Sequence, residues 1–212
     1  MGLDSQIALE DNGDVCRGCF FCKTGKELEV VQSFLRSFPS YHAVAPTRTR
    51  YRRTKDAATE ERVPLLPGYV FFEAVADRKD RVLPEEPAGK RLEPLEASLR
   101  AFARSDSVLR LLRYSDGDWI LHGADDQFAR VLIRTGGNIG VSRAYFDEGN
   151  RIRILDGFLK DYEGDVVRVN RKTRTVEVSV DFQGKKVSMW LGYELVAALD
   201  GDNHNIKGSQ LL

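Results

Sequence analysis

Three cysteines near the amino terminus have the spacing of a metal-binding motif. Cys16, Cys19 and Cys22 form a C-x-x-C-x-x-C pattern, and thiolates at such spacing bind zinc or the iron of iron–sulfur clusters. His42 could supply a fourth ligand. The run from Val15 to Cys22 is typical of a strand, however, and a strand would direct Cys16 and Cys22 to one face and Cys19 to the other. We therefore predict three reduced thiols, with no metal site and no cofactor.

A basic run in the first third of the chain could bind phosphate groups. The run contains Tyr51 and no acidic residue. Its five cations are Arg48, Arg50, Arg52, Arg53 and Lys55. Most charge runs are solvated surface, but a dense run with an aromatic ring is also typical of nucleic-acid contacts. Lys23 and Lys26 flank the start of a predicted helix, where free backbone N–H groups favour an anion. These cations are candidate nucleic-acid contacts.

The sequence lacks the patterns of a catalytic site and of a membrane protein. We find no nucleophile paired with a base, no glycine-rich phosphate loop and no metal quartet, which predicts that the protein is not an enzyme. No apolar run reaches about eighteen residues, and the polar stretch from Met1 to Asp14 has no signal-peptide core. We therefore expect a cytoplasmic protein. Because the net charge is zero, any nucleic-acid contact must come from local patches.

The element expected to organise the amino-terminal part is a strand from Tyr69 to Ala74. Prolines and a glycine precede it at 64–68, so no helix continues into it. Tyr69 and Phe71 would point to one face, and Val70, Phe72 and Ala74 to the other. Both faces are apolar. This strand is therefore either buried on both sides, or packed against helices on one side and open to a partner on the other.

Further predicted elements give an α+β unit over residues 15–135. A helix capped by Thr24 and Glu27 should bury a stripe of Leu28, Val31, Leu35 and Phe38 and end at Pro39. Other predicted elements are a strand at 41–44, a helix at 95–102, a hairpin pairing 108–112 with 119–121, and a helix at 125–134 closed by Gly136 and Gly137.

The pattern changes after a glycine-containing stretch at 136–146, which we interpret as a linker. Residues 147–198 contain five short alternating strands separated by turn signals, and such strands are best buried by closing into a small barrel. The flanks of this barrel carry further candidate nucleic-acid contacts, Lys160, Arg168, Arg171, Lys172 and Arg174. We expect a disordered leader at 1–14 and a flexible tail at 199–212.

Two motifs resemble those of the NusG family of transcription elongation factors. The stretch from Glu148 to Arg174 is similar to the KOW motif, and Leu66–Phe71 resembles the family's Phe-Pro-Gly-Tyr-Val signature with leucine in place of phenylalanine. The opening strand and Lys23–Glu27 also fit, so the resemblance covers residues 15–197. It implies an amino-terminal α/β sandwich, with helices on an antiparallel sheet, and an SH3-like five-stranded barrel after it.

The resemblance also implies partners. In the family, the amino-terminal domain binds the clamp helices of RNA polymerase β′ through an apolar surface and reaches the β subunit, which suppresses pausing. The matching surface here would contain Phe21, Leu66, Tyr69 and Phe71. The strand would then have helices on one face and a partner on the other. We expect a monomer.

The stretch 121–143 looks more like the specialised LoaP paralogues, with RfaH more distant, than like general NusG. This implies antitermination at selected operons, with recruitment by a hairpin in the nascent RNA. Two alternatives stay open: a general NusG-like factor that couples polymerase to the ribosome or Rho, and, from a different class, a translation-associated RNA-binding protein. The strong β alternation of 150–196 argues against refolding of the barrel into helices.

Overall fold

The computed structural model describes residues 15–53, 58–75 and 93–196, with side chains described except at 51–53, 58, 75 and 93. These parts form a mixed α/β structure with several sheets. The predicted leader, Lys55 and the predicted tail lie outside the described residues, as do the side chains of Arg52 and Arg53. Among the described helices, none has the length and apolar character needed to cross a bilayer.

The main sheet contains four strands in the order β2-β5-β1-β6. These are β1 (Val15–Cys22), β2 (His42–Val44), β5 (Tyr69–Val75) and β6 (Val108–Leu111). All three pairings are antiparallel, and β1 lies between β5 and β6. The predicted strands at 15–22, 41–44 and 69–74 are therefore confirmed. The predicted hairpin is wrong, because β6 pairs with β1 and residues 119–121 form no strand.

Within the described residues, three α-helices accompany this sheet: α1 (Glu27–Ser37), α2 (Glu93–Phe102) and α3 (Gly123–Arg134). The buried residues of α1 are Val30 and Phe34, whereas Leu28 is 67% exposed, so the predicted stripe is misplaced at its start. The predicted cap is also wrong. Lys26 precedes the first turn without a side-chain cap, and Glu27 accepts hydrogen bonds from other backbone groups instead.

The basic run at 48–55 begins as a strand that sequence reasoning did not predict. The second sheet has the order β4-β3-β7, with β3 (Thr47–Arg53), β4 (Ala58–Pro64) and β7 (Asn138–Ile139). Thr47 and Thr49 alternate with the arginines, and both threonine hydroxyls lie within hydrogen-bond distance of the Asn138 side chain. A β-branched residue at every second position is typical of a strand. In this segment the arginines between the threonines make that pattern hard to recognise.

The carboxyl-terminal sheet has five strands in the order β10-β11-β12-β8-β9. They are β8 (Ser142–Phe146), β9 (Ile152–Asp156), β10 (Val166–Asn170), β11 (Thr175–Phe182) and β12 (Lys185–Leu195), with a 3-10 helix at Phe158–Asp165. The number of strands matches the prediction, and β9 to β12 lie within the predicted barrel region, but β8 precedes that region. The expected linker at 136–146 contains β7 and β8, and the last two predicted strands form the single strand β12.

The alternation of β5 separates two cores. Val70, Phe72 and Ala74 join a helix-side cluster that includes Phe20 and Phe34. The opposite side chain, Phe71, joins a second cluster that continues into the carboxyl-terminal sheet. The predicted facing of β5 is thus correct, and both faces are covered by the chain's own residues.

Candidate functional site

An aromatic strip lies on the face of the main sheet that carries Phe71. We define the strip as Phe21, Leu66, Tyr69 and Phe71, the predicted partner-binding residues. The rings of Phe21 and Tyr69 meet edge to face with centroids 5.2 Å apart. Both are half-buried, whereas Phe71 is 0% and Leu66 4% exposed. The structure therefore brings the four residues together, but leaves only the first pair partly accessible.

A turn ahead of β5 sets the position of the strip. Gly68 has φ of 86°, a conformation that glycine adopts without strain. Its N–H donates to Glu27 Oε1 at 2.7 Å, and its carbonyl accepts from the N–H of Cys22 at 2.7 Å. A Cβ at this position would lie 2.9 Å from the ring of Phe21. The turn thus needs a residue without a side chain in order to place Phe21 beside Tyr69.

Phe182, at the end of β11, covers the strip. Its ring centroid lies 6.0 Å from that of Tyr69, 5.4 Å from that of Phe71 and 6.0 Å from that of Phe128 in α3. Phe158 also contacts Phe128, at 6.3 Å. The strip is therefore covered by the carboxyl-terminal sheet together with α3. The helices that pack on the other face of the main sheet do not cover it.

One carboxylate joins the two parts of the chain beside these rings. Asp125 Oδ2, at the start of α3, accepts hydrogen bonds from the backbone N–H of Gln183 at 3.0 Å and from the Tyr114 hydroxyl at 2.6 Å. Tyr114 also stacks on His122, with centroids 4.1 Å apart. Burial raises the pKa of Tyr114, and the hydrogen bond to Asp125 adds to this, so the phenol remains a donor at neutral pH. We call Gln183, Asp125 and Tyr114 the polar latch.

The α3 helix that carries Asp125 is itself fixed to the main sheet by an ion-pair cluster. The guanidinium of Arg17 in β1 lies 2.7 Å from Glu73 in β5 and 2.9 Å from Asp126 in α3. The Arg17 side chain is largely buried, where such pairs are screened little by salt. These contacts hold α3, and therefore Asp125, in a fixed place relative to the strip.

The basic strand β3 is partly neutralised by its hairpin partner. Arg50 pairs with Glu61 at 2.8 Å across the β3–β4 pair, and Tyr51 is directly opposite Glu60. Arg48 is half-buried with no hydrogen-bond partner for its Nη1 among the described residues, and burial lowers its pKa. The basic run contains no acidic residue itself, but acidic residues of the paired strand β4 lie opposite it. Counting charges along the sequence does not reveal this pairing.

Lys23 and Lys26 lie at the exposed start of α1, as predicted. Lys26 pairs with Glu29 at 2.7 Å, and this hydrogen bond raises its pKa. No ion pair of Lys23 is found among the described residues.

The cations of the carboxyl-terminal sheet are more available. The turn after β10 places Arg171, Lys172 and Arg174 together, all exposed. None of them forms an ion pair with a described acidic residue, and the same holds for the exposed Arg168. Lys160 instead donates to the Ile154 carbonyl at 2.8 Å and lies 3.5 Å from Glu163.

The structure brings the two basic segments close together. Gly192 in β12 approaches β3 so closely that a Cβ there would lie 3.1 Å from the carbonyl oxygen of Thr49. Gly192 pairs with Thr175, which directly follows Arg174. No local pattern in the sequence indicates that these two segments lie side by side.

Sequence reasoning missed a group of residues beside this turn. Phe146, Arg151 and Arg153 line a cavity together with Arg171. These residues are distant in sequence, and they come together because β8 pairs with β9 and because the turn folds beside this pair. No local sequence pattern indicates that they line one cavity.

The three cysteines are buried in the structure. Cys16 and Cys22 belong to the helix-side cluster and Cys19 to the other, as the strand prediction required. Burial raises the pKa of Cys19 well above its usual value and that of Cys22 to about 11. Within the described ranges, no group of three or more His, Cys, Asp or Glu side chains is arranged to hold a metal ion.

Comparisons with known proteins give little further information. No protein-family model matches the chain, and no curated protein matches it. A solved structure described as "Domain interaction in Thermotoga maritima NusG" is similar over 84% of this chain and 93% of that one, with 16% identity and a TM-score of 0.43. A likeness at this level is too weak to support a conclusion about this chain.

Proposed function

We propose that this protein is a NusG-type transcription elongation factor that binds RNA polymerase through the aromatic strip, with an amino-terminal domain at 15–135 and a KOW-type barrel formed by the carboxyl-terminal sheet. The observation that carries the proposal is the strip itself. Phe21, Leu66, Tyr69 and Phe71 lie together on one face of the main sheet, around the signature-like turn at Gly68. In the family, this surface binds the β′ clamp helices, and the same domain reaches the β subunit.

The cover over the strip requires a second conformation for this activity. Phe71 is fully buried beneath Phe182, so polymerase can reach it only if the carboxyl-terminal sheet moves away. A partner that binds only the open form shifts the equilibrium toward that form by its differential affinity. The contacts to be lost include the aromatic pairs of Phe182, the Gln183–Asp125 hydrogen bond of the polar latch and the close approach of Gly192 to β3. This cover fits a factor that is held inactive until recruited.

We propose further that the factor acts at selected operons as a processive antiterminator of the LoaP kind, recruited by a hairpin in the nascent RNA. The exposed turn with Arg171, Lys172 and Arg174 is the best candidate for the RNA contact, because these cations lack acidic partners among the described residues. The hairpin β3–β4 lies close by and could extend this contact. Cations of this kind bind RNA through its phosphates and by shape.

Polymerase capture tests the proposal. Tagged wild-type protein, Phe182→Ser and the double variant Phe182→Ser/Tyr69→Ser are each incubated with purified RNA polymerase. Loss of the Phe182 ring should expose the strip and raise the captured amount, and the second substitution should abolish the gain. Val167→Ser, at a side chain 61% exposed on β10, is the matched control and should change nothing. Equal capture by all four proteins would contradict binding through the strip.

The two alternatives make different predictions. A general NusG-like factor bound to the ribosome or Rho would alter transcription across most genes, whereas deletion of an operon-specific factor should change termination on a few transcripts. A translation-associated RNA-binding protein would co-purify with ribosomes and not with polymerase. The basic turn is exposed while the strip is covered by Phe182. This observation favours keeping the RNA-binding alternative.

A further inference from the structure

A cavity of about 360 Å³ opens on the carboxyl-terminal sheet beside the basic turn. Its apolar part is formed by Phe146, Ile152 and Val169, and its polar part by Arg151, Arg171 and Glu163. A volume of this size falls in the range of small-molecule and nucleotide pockets.

The cavity is remote from the contact that covers the strip. Arg171 lies just ahead of β11, whereas Phe182 ends it. The eight residues of this strand separate the two positions by roughly 23 Å, since a strand rises about 3.3 Å per residue. A ligand in the cavity therefore leaves the Phe182 contacts with Tyr69 and Phe71 intact.

A planar cation stacked on an aromatic ring forms one wall. The guanidinium carbon of Arg171 lies 4.0 Å from the centroid of the Phe146 ring. Arg171 Nη2 also donates to the Oδ1 of Asn150 at 2.5 Å and to its backbone carbonyl at 3.3 Å. These bonds hold the guanidinium plane against the ring. Proteins that bind unpaired nucleotides use aromatic rings and arginine planes of this kind as stacking platforms.

Only some of the charged side chains that line the cavity form ion pairs with each other or with neighbouring residues. Arg153 is neutralised by Asp147 at 2.8 Å and by Glu163 at 3.5 Å. Arg171 and Arg151 make no ion pair with a described carboxylate in this geometry. The Glu163 carboxylate is held only by long contacts, 3.5 Å to Arg153 and to Lys160 and 3.4 Å from the N–H of Ile154. Its oxygens therefore keep capacity for a further donor.

We propose that this cavity binds one unstacked base of an RNA strand, and that the base carries an amino group on its pairing edge, as cytosine, adenine and guanine do. The inference rests on the proposed recruitment by RNA and specifies what is read. The ring of the base lies against the Arg171 plane and the apolar wall, Glu163 accepts the hydrogen bond of the amino group, and Arg151 pairs with a neighbouring phosphate. Uracil has no amino group, and its one pairing-edge N–H lies between two carbonyl oxygens that would face the Glu163 carboxylate unfavourably.

An acidic peptide fits the same walls less well. Glu163 and Asp147 would repel its carboxylates, and the platform of Phe146 and Arg171 would have no planar group to contact. The combination of an aromatic ring, a stacked guanidinium and an acceptor with remaining capacity is complementary to a base with an amino group.

The test measures binding of the full-length protein to labelled RNA by fluorescence anisotropy. The probes are oligocytidine, oligouridine and a fully paired RNA duplex of equal length. Oligocytidine should bind more tightly than oligouridine. Arg171→Lys keeps the charge but removes the plane, and should weaken oligocytidine binding about tenfold, as for the loss of one stacked base. Glu163→Gln should reduce the preference for cytidine, since a glutamine amide can also donate to uracil.

Lys172→Ala is the matched control, because it removes an exposed cation next to Arg171 that does not line the cavity. It should weaken all three probes to a similar and smaller extent. Thermal unfolding of each variant identifies any loss of structure, and Glu163→Gln keeps the test decisive if Arg171→Lys fails to fold.

Two results overturn the inference while RNA recruitment survives. One is a duplex that binds as tightly as oligocytidine, with Arg171→Lys no more harmful than Lys172→Ala. The other is a preference for cytidine that Glu163→Gln leaves unchanged. A polyglutamate peptide that displaces oligocytidine and binds more tightly would assign the cavity to acidic peptides instead. If no RNA binds at all, both the cavity proposal and RNA recruitment fail, whereas polymerase capture by Phe182→Ser remains an independent readout of the strip.

Discussion

The ring of Phe182 in β11 meets the ring of Phe71 in β5 edge to face, with centroids 5.4 Å apart and an interplanar angle of 62°. The two residues are separated by more than half of the chain, and both are buried in the same cluster. Aromatic pairs of this geometry contribute about 0.5–1.5 kcal/mol beyond the area they bury. This pair therefore couples the state of the carboxyl-terminal sheet to the accessibility of the strip.

Phe182→Ser should shift the protein toward a form in which the sheet is released from the strip. The substitution removes the ring contacts with Phe71, Tyr69 and Phe128 and leaves a hydroxyl against an apolar surface. We expect a larger radius of gyration by small-angle scattering and increased binding of an apolar dye. Val167→Ser is the control for a surface change on the same sheet. Unchanged scattering and dye binding would show that other contacts keep the strip covered.

Gly68→Ala should be more destabilising than the same change at Gly117. Both glycines have positive φ, 86° and 91°, so each alanine incurs about 1–2 kcal/mol of backbone strain. Among the described residues, the Cβ added at Gly68 meets the Phe21 ring at 2.9 Å and the Cys22 carbonyl oxygen at 3.1 Å, whereas none lies within 4 Å of a Cβ added at Gly117. Urea denaturation of both variants measures the difference. Equal free energies of unfolding would mean that Phe21 moves aside freely.

The facing of β5 could be predicted from its alternation, because a strand has a fixed period and both of its faces are apolar. What covers the second face could not be predicted. The two interpretations differ in whether other parts of the chain, here Phe182 and Phe128, lie against Phe71. No local pattern in the sequence indicates these contacts. The structure shows this face covered by the chain's own residues, as the alternative of a strand buried on both sides predicted, and the open partner surface stays a prediction.

The strands β3, β7 and β8 were missed for a different reason. The parallel pairing of β12 with β8 matches Tyr193 with Ser142, and that of β3 with β7 matches Thr47 with Asn138. Each joins segments about fifty to ninety residues apart, and neither leaves a turn signal. The glycines near 136–140 were therefore interpreted as a linker. The cavity beside Arg171 escaped prediction on the same grounds, since Phe146 belongs to β8.

Raising the pH above 9 should destabilise the fold through Cys22. Burial raises the pKa of its thiol to about 11 in the folded state, from 9.0 without these surroundings. Between these values the unfolded chain has lost the proton and the folded chain still holds it. The folded state therefore binds more protons, and the free energy of unfolding falls as pH rises from about 9 to about 11. Cys22→Ala should show a shallower decline by urea denaturation at several pH values, and parallel curves would contradict the assignment.

Tyr193→Phe should leave the stability unchanged or raise it. Tyr193 is 1% exposed, and its hydroxyl oxygen has no hydrogen-bond partner among the described residues. An unsatisfied buried polar atom costs about 1–3 kcal/mol, and phenylalanine keeps the ring that packs on Phe146. Tyr114→Phe is the matched comparison, because its hydroxyl donates to Asp125 at 2.6 Å and its loss should destabilise the protein. A lower melting temperature for Tyr193→Phe would indicate a bound water or ligand at the hydroxyl.

Asp125→Ala should release the carboxyl-terminal sheet without touching any ring of the strip. The carboxylate accepts from both the Gln183 N–H and the Tyr114 hydroxyl, so its removal leaves two donors without their acceptor. Charge-assisted bonds of this kind contribute about 1.5–3 kcal/mol each when intact. Polymerase capture should therefore increase, as for Phe182→Ser. Tyr114→Phe separates the two bonds, because it keeps the Gln183–Asp125 contact across the parts of the chain and should produce little of this gain. If Tyr114→Phe raises capture as much as Asp125→Ala, the bond to Gln183 is not what holds the cover in place, and the polar latch acts only by positioning the start of α3.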